Sequence, residues 1–143
     1  RVYIATAQAW DDEMRSKITT HQQDRGADWR TVEAPLDVAT ELAKVPAGQV
    51  VLLDCATLWL SNHLLAGHDL VAQSALLRQA LAVCASPVVV VSNEVGWSIV
   101  PENKLARLFQ KAQGRLNQDL AQEADLVLAV IAGLPIVLKS GQP

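Results

Sequence analysis

Residues 50–62, VVLLDCATLWLSN, begin with a short apolar run that ends at Asp54. An apolar run of this length predicts a strand that is buried on both faces of a sheet. Similar runs predict three further strands, and a more polar segment predicts a weaker strand at a sheet edge. The three runs are 2–6, 88–92 and 126–132, and the edge segment is 30–34.

Helical patterns separate these strands. The predicted helices are 12–25, 36–45, 70–85 and 102–124. Gly133 to Pro135 lie between two apolar runs near the C-terminal end and predict a hairpin. Alternation of strands and helices predicts a single α/β domain, residues 1–143, whose mainly parallel sheet carries helices on both faces and an antiparallel edge.

Composition excludes several classes of protein. A formal net charge of −3 without a basic stripe argues against nucleic-acid binding. No apolar run approaches the ~20 residues that span a bilayer, and no signal peptide is apparent. Cys55 and Cys84 fit neither a zinc motif nor a disulfide framework, which favours reduced thiols. We therefore expect a cytoplasmic protein.

Polar residues follow three of the predicted strands, at 5–7, 54–57 and 92–94. Ligands of parallel α/β sheets bind beyond the carboxyl ends of the strands. Asp54 resembles the acid of a Walker B strand, which holds Mg²⁺ against phosphate oxygens. An Asp at this position also commonly caps the next helix. The segment 93–101 similarly fits either a ligand-gating loop or a plain crossover loop.

His21 lies in the predicted helix 12–25. Met14, Ile18 and Arg25 share its helical face, and the two apolar members indicate that this face points toward the sheet. A neutral imidazole is a good nucleophile toward phosphorus, and basic neighbours could hold the phosphates under attack. From the residues alone, a partly buried structural histidine is the favoured interpretation.

His63 and His68 fall between predicted elements, and we interpret both as surface histidines. A metal site there would need a third ligand, which the sequence does not offer. We therefore assign no metal-binding residues. The chain also lacks a Gly-x-Ser-x-Gly motif and a catalytic Cys–His signature.

Six stretches taken together carry a resemblance. The two most specific are SNEVGWSIVPENKLARLF (92–109), which contains NEVGWSIVPEN, and GRLNQDLAQEADLV (114–127), which begins with GRLNQ. The others are YIATAQAWDDEM (3–14), KITTHQQDR (17–25), WRTVEAP (29–35) and LLDCATLWLSN (52–62). In this order they resemble the bifunctional adenosylcobinamide kinase/adenosylcobinamide-phosphate guanylyltransferases of cobalamin biosynthesis.

The resemblance implies a P-loop NTPase-like (RecA-like) fold and two reactions. A nucleoside triphosphate, ATP or GTP with Mg²⁺, phosphorylates adenosylcobinamide. GMP then passes from GTP to adenosylcobinamide phosphate through a GMP–histidine intermediate, giving adenosylcobinamide-GDP. Members of the family assemble as homotrimers, so the resemblance also implies an oligomer.

By resemblance, His21 is the residue that takes GMP from GTP. The implied nucleotide contacts are Ala5, Thr6, Ala7, Gln22, Gln23, Asp24, Arg25, Glu33 and Asp54. Two positions depart from the family pattern. Asp54 stands where relatives often carry Glu, and Thr20 stands where some have a second histidine.

The family begins with a strand and a Gly-rich phosphate loop, and no such loop occurs in residues 1–143. A strand, loop and helix of this kind take on the order of 25 to 30 residues. We therefore expect that the sequence opens just after that helix, and that these residues alone hold nucleotide weakly. Two other functions stay open: a P-loop small-molecule kinase without a covalent intermediate, and a non-catalytic α/β binding domain.

Overall fold

The apolar runs form strands, and the segments between them form helices. The computed structural model describes residues 1–97 and 99–141. It contains two compact units, Arg1–Asn93 and a second that begins at Glu94. The first unit contains β1 (Val2–Ala5), α1 (Asp12–Arg25), β2 (Arg30–Glu33), α2 (Val38–Ala43), β3 (Val51–Asp54), α3 (Ala56–Leu65), α4 (Leu70–Val83) and β4 (Val88–Val91). The second contains α5 (Lys104–Glu123), β5 (Val127–Ile131) and β6 (Leu134–Lys139).

The four strands of the first unit form one parallel sheet in the order β2–β1–β3–β4. Its core is made of apolar side chains from the two central strands and from three helices. These include Val2, Ile4, Val38, Leu42, Val51, Leu53, Trp59, Leu60 and Leu77. The register places Ala5 of β1 opposite both Glu33 of β2 and Asp54 of β3. These three residues therefore mark the carboxyl end of the sheet.

The predicted α/β class, with a mainly parallel sheet flanked by helices, is confirmed, and β2 lies at an edge as predicted. The predicted burial of 88–92 on both faces is wrong. β4 is the other edge strand, and Val89 and Val91 on one of its faces are 54% and 38% exposed. Apolar composition does not reveal which strand is outermost, because pairing depends on distant segments of the chain.

The C-terminal hairpin is confirmed, but it forms a two-stranded sheet of its own rather than an antiparallel edge of the main sheet. Its turn residues, Ala132 and Gly133, have φ values of 54° and 75°. Positive φ at both turn positions is typical of the tight turns whose twist matches that of the paired strands. Three of the five residues of β5 are exposed, so the predicted burial of the strand 126–132 on both faces is also wrong.

The helix α1 has the predicted bounds because its two ends are well marked. The side chain of Asp11 accepts a hydrogen bond from the backbone N–H of Met14 at 2.7 Å and caps the N-terminus. Gly26, with φ of 73°, ends the helix in a conformation that side chains rarely adopt. No residue of α1 is fully buried, so the helix lies on the surface of the first unit.

The helix α3 was not predicted. Six of its ten residues are buried, including the polar Thr57, Asn62 and His63, so it lacks the one-sided apolar stripe that identifies a surface helix. Its N-cap is Cys55, whose sulfur accepts from the N–H of Leu58 at 3.4 Å. The sequence offered Asp54, one position earlier, as a cap for a following helix, but the observed cap is Cys55, which is not a usual capping residue.

Within residues 1–97 and 99–141, no helix combines the length and the apolar character needed to cross a bilayer.

Candidate active site

The carboxyl ends of β1 and β3 are joined by a buried hydroxyl. Thr6 is fully buried, and its Oγ1 donates to the carbonyl oxygen of Cys55 and accepts from the Cys55 N–H, both at 2.8 Å. The buried Asn62 adds a second connection, because its Nδ2 donates to the carbonyl oxygens of Thr6 at 2.8 Å and Pro35 at 2.9 Å. The hydrogen bonds of Thr6 therefore hold the ends of β1 and β3 together. Its implied contact with nucleotide stays a prediction.

Replacing Thr6 by valine is expected to lower the free energy of unfolding by about 1–3 kcal/mol. Valine keeps the shape of threonine but leaves the buried N–H of Cys55 without its partner, while the Cys55 carbonyl oxygen keeps only the N–H of Trp59. Urea denaturation would measure the loss. Thr20→Val is the matched control, since Thr20 is exposed and its hydroxyl donates to the carbonyl oxygen of Ser16 within the same helix. An equal loss in both variants would contradict the structural role of Thr6.

Asp54, at the tip of β3, is held by a residue that the sequence did not single out. The hydroxyl of Tyr3 donates a hydrogen bond to Asp54 Oδ2. Burial, and then this hydrogen bond, raise the pKa of Tyr3 above its ordinary value, so the phenol keeps its proton. Tyr3 and Ala5 are two residues apart on β1 and therefore share a face of the sheet. Because Ala5 pairs with Asp54, this spacing could have suggested the contact between Tyr3 and Asp54.

Arg25 packs on the same tyrosine. Its guanidinium carbon lies 3.5 Å from the centroid of the Tyr3 ring, and its Nη2 lies 3.5 Å from Thr31 Oγ1. A guanidinium over an aromatic face is attracted by the negative charge of the ring face. The half-buried Arg25 thus adjoins the Tyr3–Asp54 pair, whereas its implied contact with phosphate stays a prediction.

An open cleft of about 590 Å³ lies beside α1, at the ends of β1 and β2. Three of its lining residues, Ala7, Gln22 and Glu33, were implied as nucleotide contacts. The others are Gln8, Ala9, Arg15, Ile18, Thr19 and Pro35. The sequence did not single out Arg15 and Thr19, although their spacing from Gln22 puts them on one helical face. Arg15 supplies the cleft with a cation, whose Nη1 is ion-paired with Asp12 Oδ1 at 3.2 Å, and Glu33 supplies a carboxylate to the same lining.

His21 is exposed and is not among the residues that line this cleft. Its predicted face is half-buried at Met14, Ile18 and Arg25 but not at His21 itself. Ile18, one turn before it, and Gln22, next to it, both line the cleft. Because side chains three apart on a helix have Cβ atoms roughly 5–6 Å apart, the Cβ atom of His21 lies beside that of Ile18, which lines the cleft.

The remaining implied contacts are spread around this edge. Ala5 is half-buried at the end of β1, and Gln23 and Asp24 are exposed in the last turn of α1. At the tip of β4, the N–H of Asn93 donates to Thr57 Oγ1 at 2.8 Å and so ties this strand end to α3. At this edge of the sheet, hydrogen bonds therefore hold the strand ends in place, and α1 lies beside them with its surface exposed.

The loop after Asn93 belongs to the second unit. Glu94 Oε1 accepts from Asn117 Nδ2 at 2.9 Å, and Gln110 Nε2 donates to the carbonyl oxygen of Val95 at 2.7 Å. Both partners lie on α5, so the start of the loop is fixed to this helix. Trp97 is 76% exposed, and Ser98 of the same loop lies outside the described residues. The ligand-gating role of the loop 93–101 stays a prediction.

The interpretation of His63 as a surface histidine is wrong. His63 belongs to α3 and is 3% exposed, whereas His68 is exposed as predicted. Burial lowers the pKa of His63, and the nearby His68 lowers it further. The hydrogen bond to the Leu36 carbonyl acts in the opposite direction and raises this pKa. Trp59, one turn before His63, could have identified the buried face, because the two rings pack edge to face at 4.7 Å.

Comparison with known proteins matches residues 1–138 to the family model described as cobinamide kinase/cobinamide phosphate guanyltransferase. The chain is 41% identical to the bifunctional adenosylcobalamin biosynthesis protein CobP of Pseudomonas aeruginosa, covering 99% of the chain and 83% of that protein. It is 37% and 39% identical to the CobU proteins of Salmonella typhimurium and Escherichia coli, which bear the same description, covering 96% of the chain and 85% of each. The chain belongs to the cobinamide kinase/cobinamide phosphate guanyltransferase family.

Proposed function

We propose that this protein phosphorylates adenosylcobinamide and then transfers GMP to the product, with His21 as the covalent carrier of GMP. The observation that carries the proposal is the family match over residues 1–138. The cleft at the ends of β1 and β2 supports it, because parallel α/β sheets bind ligands at this edge. The P-loop NTPase-like fold, a cytoplasmic location and assembly as a homotrimer form part of the same proposal.

In the first reaction, the hydroxyl oxygen of the aminopropanol side chain attacks the γ-phosphorus of ATP or GTP. An oxygen–phosphorus bond forms, the bond to the bridging oxygen breaks, and the nucleoside diphosphate leaves. The hydroxyl proton passes to water or to a nearby carboxylate. Such a transfer depends mainly on positioning and on stabilising the charge of the phosphoryl group.

In the second reaction, a ring nitrogen of His21 attacks the α-phosphorus of GTP and pyrophosphate leaves. A phosphate oxygen of adenosylcobinamide phosphate then attacks the same phosphorus, so that the phosphorus–nitrogen bond breaks and the imidazole is released. Covalent catalysis divides one difficult transfer into two displacements. Arg15, in the lining of the cleft, is suited to hold the phosphates during both.

The residues present fit a Mg²⁺ ion that arrives with the nucleotide. Among the described residues, no group of three or more His, Cys, Asp or Glu side chains could hold a metal. Mg²⁺ is usually held by one or two carboxylates together with substrate phosphates, and Asp54 is the carboxylate proposed to hold it here. Tyr3 occupies Oδ2 of Asp54, so Oδ1 is the oxygen that would hold the ion. When bound, Mg²⁺ neutralises the charge that develops on the phosphates.

The proposal is tested by labelling the protein expressed from its whole gene. With Mg²⁺ and GTP labelled at the α-phosphate, we expect protein-bound label that is stable to alkali and labile to acid. Label at the γ-phosphate should not be retained, and unlabelled adenosylcobinamide phosphate should remove the α-label. Phosphorylation of adenosylcobinamide without bound GMP would instead identify a kinase without a covalent intermediate. A protein that shows neither activity would be a non-catalytic binding domain.

A further inference from the structure

Two histidines outside the candidate active site meet through their ring nitrogens. Nδ1 of His63, in the last turn of α3, lies 2.8 Å from Nδ1 of His68 in the connection to α4. The ring centroids are 5.1 Å apart. A backbone hydrogen bond of 3.0 Å from the N–H of His68 to the carbonyl oxygen of His63 fixes the connection between them. The reactions proposed above use neither side chain.

The surroundings of His63 determine which of its nitrogens carries the proton. Nε2 lies 3.0 Å from the carbonyl oxygen of Leu36, which also accepts from Trp59 Nε1 at 2.9 Å. Because a carbonyl oxygen only accepts, the proton of a neutral His63 lies on Nε2. The lone pair of Nδ1 therefore points toward His68, which donates its own Nδ1 proton to it.

This arrangement is the one that metal-binding histidines use. A metal-bound imidazole commonly donates its other N–H to a backbone carbonyl or a carboxylate, which fixes the ring and leaves one lone pair for the ion. His63 is already held in this way, and it packs against Trp59. His68 is exposed, so its side is open to water and to an incoming ion.

We infer that His63 and His68 form a two-histidine site for a divalent transition-metal ion of the kind that prefers imidazole, such as Ni²⁺, Cu²⁺ or Zn²⁺. At zinc–nitrogen distances, two nitrogens on a tetrahedral ion lie roughly 3.3 Å apart, which an exposed side chain can reach by a small rotation. His68 would move its proton from Nδ1 to Nε2, and water would fill the coordination positions for which the sequence offers no third protein ligand. Imidazole ligands favour these ions over Mg²⁺.

Calorimetric titration of the whole protein with NiCl₂ tests the site, with Mg²⁺ as the ion that should not bind there. We expect one saturable site in the wild type and affinity at least about tenfold weaker in His68→Ala. Loss of a group that merely orients a ligand already costs about 10–100-fold. His21→Ala is the matched control, since it removes the remaining histidine, which is exposed on α1, and should bind Ni²⁺ as the wild type does.

Histidine ¹⁵N resonances give a second measurement that does not depend on affinity. Addition of Zn²⁺ should shift the Nδ1 resonances of His63 and His68, and His63 should keep its proton on Nε2. The proposal is overturned if the wild type shows no saturable Ni²⁺ binding, or if His68→Ala binds as tightly as the wild type. A response of His21 alone would also overturn it.

Discussion

Replacement of His21 by alanine is expected to abolish protein-bound GMP and to lower GMP transfer to adenosylcobinamide phosphate to background. Alanine offers no nitrogen to form the phosphorus–nitrogen bond, so the covalent route has no first step. Removing a covalent nucleophile can cost on the order of 10⁶-fold in rate. Retention of α-labelled GMP and product formation would be measured on the same sample.

Phosphorylation of adenosylcobinamide by the same variant should stay within a few-fold of wild type, because that displacement does not use the imidazole. The fold should also be preserved, since His21 is exposed on a helix without buried residues. Thr20→Ala is the matched control, because Thr20 is the preceding residue and is also exposed. The assignment fails if His21→Ala retains as much acid-labile GMP as Thr20→Ala.

The sequence predicted those parts of the fold that depend on local signals. Helix α1 has a capping Asp11 before it and Gly26 after it, so both of its ends could be placed. Strands β1 and β3 have continuous apolar runs because both faces are covered. Helix α3 was missed for a related reason, since burial on most sides removes the helical period from the sequence.

The candidate site depends on contacts that no local pattern reveals. Tyr3 and Asp54 are 51 positions apart, and the hydroxyl of Thr6 reaches a backbone group 49 positions away. The helical face of His21 could be predicted from spacing, but its exposure could not, because exposure depends on what covers the helix. The chemical role proposed for His21 comes from family resemblance, and the structure adds Tyr3 and Arg15 to the residues of the candidate site.

Substituting Asp54 by asparagine should lower the rate of adenosylcobinamide phosphorylation about a hundredfold or more. Asparagine keeps the size of the side chain and an oxygen that can accept from Tyr3, but it removes the negative charge proposed to hold Mg²⁺. Losing one electrostatic group at a reacting centre costs about 10²–10³-fold. Steady-state kinetics across a range of Mg²⁺ concentrations would show a lower kcat and a higher Mg²⁺ requirement.

Asp54→Glu is the conservative control, since it keeps the negative charge, so it should retain most of the activity. Tyr3→Phe keeps the carboxylate but removes the hydrogen bond that orients it, and we expect a smaller loss, about tenfold. Urea denaturation separates these effects from instability. If the role of Asp54 is purely structural, Asp54→Asn should be less stable without a change in its Mg²⁺ requirement. That outcome would limit Asp54 to linking β3 to β1 and would place the oxygen that holds Mg²⁺ elsewhere. A loss of activity that depends on Mg²⁺ in a stable variant would instead assign the Mg²⁺-holding oxygen to Asp54, at the strand end that Tyr3 orients.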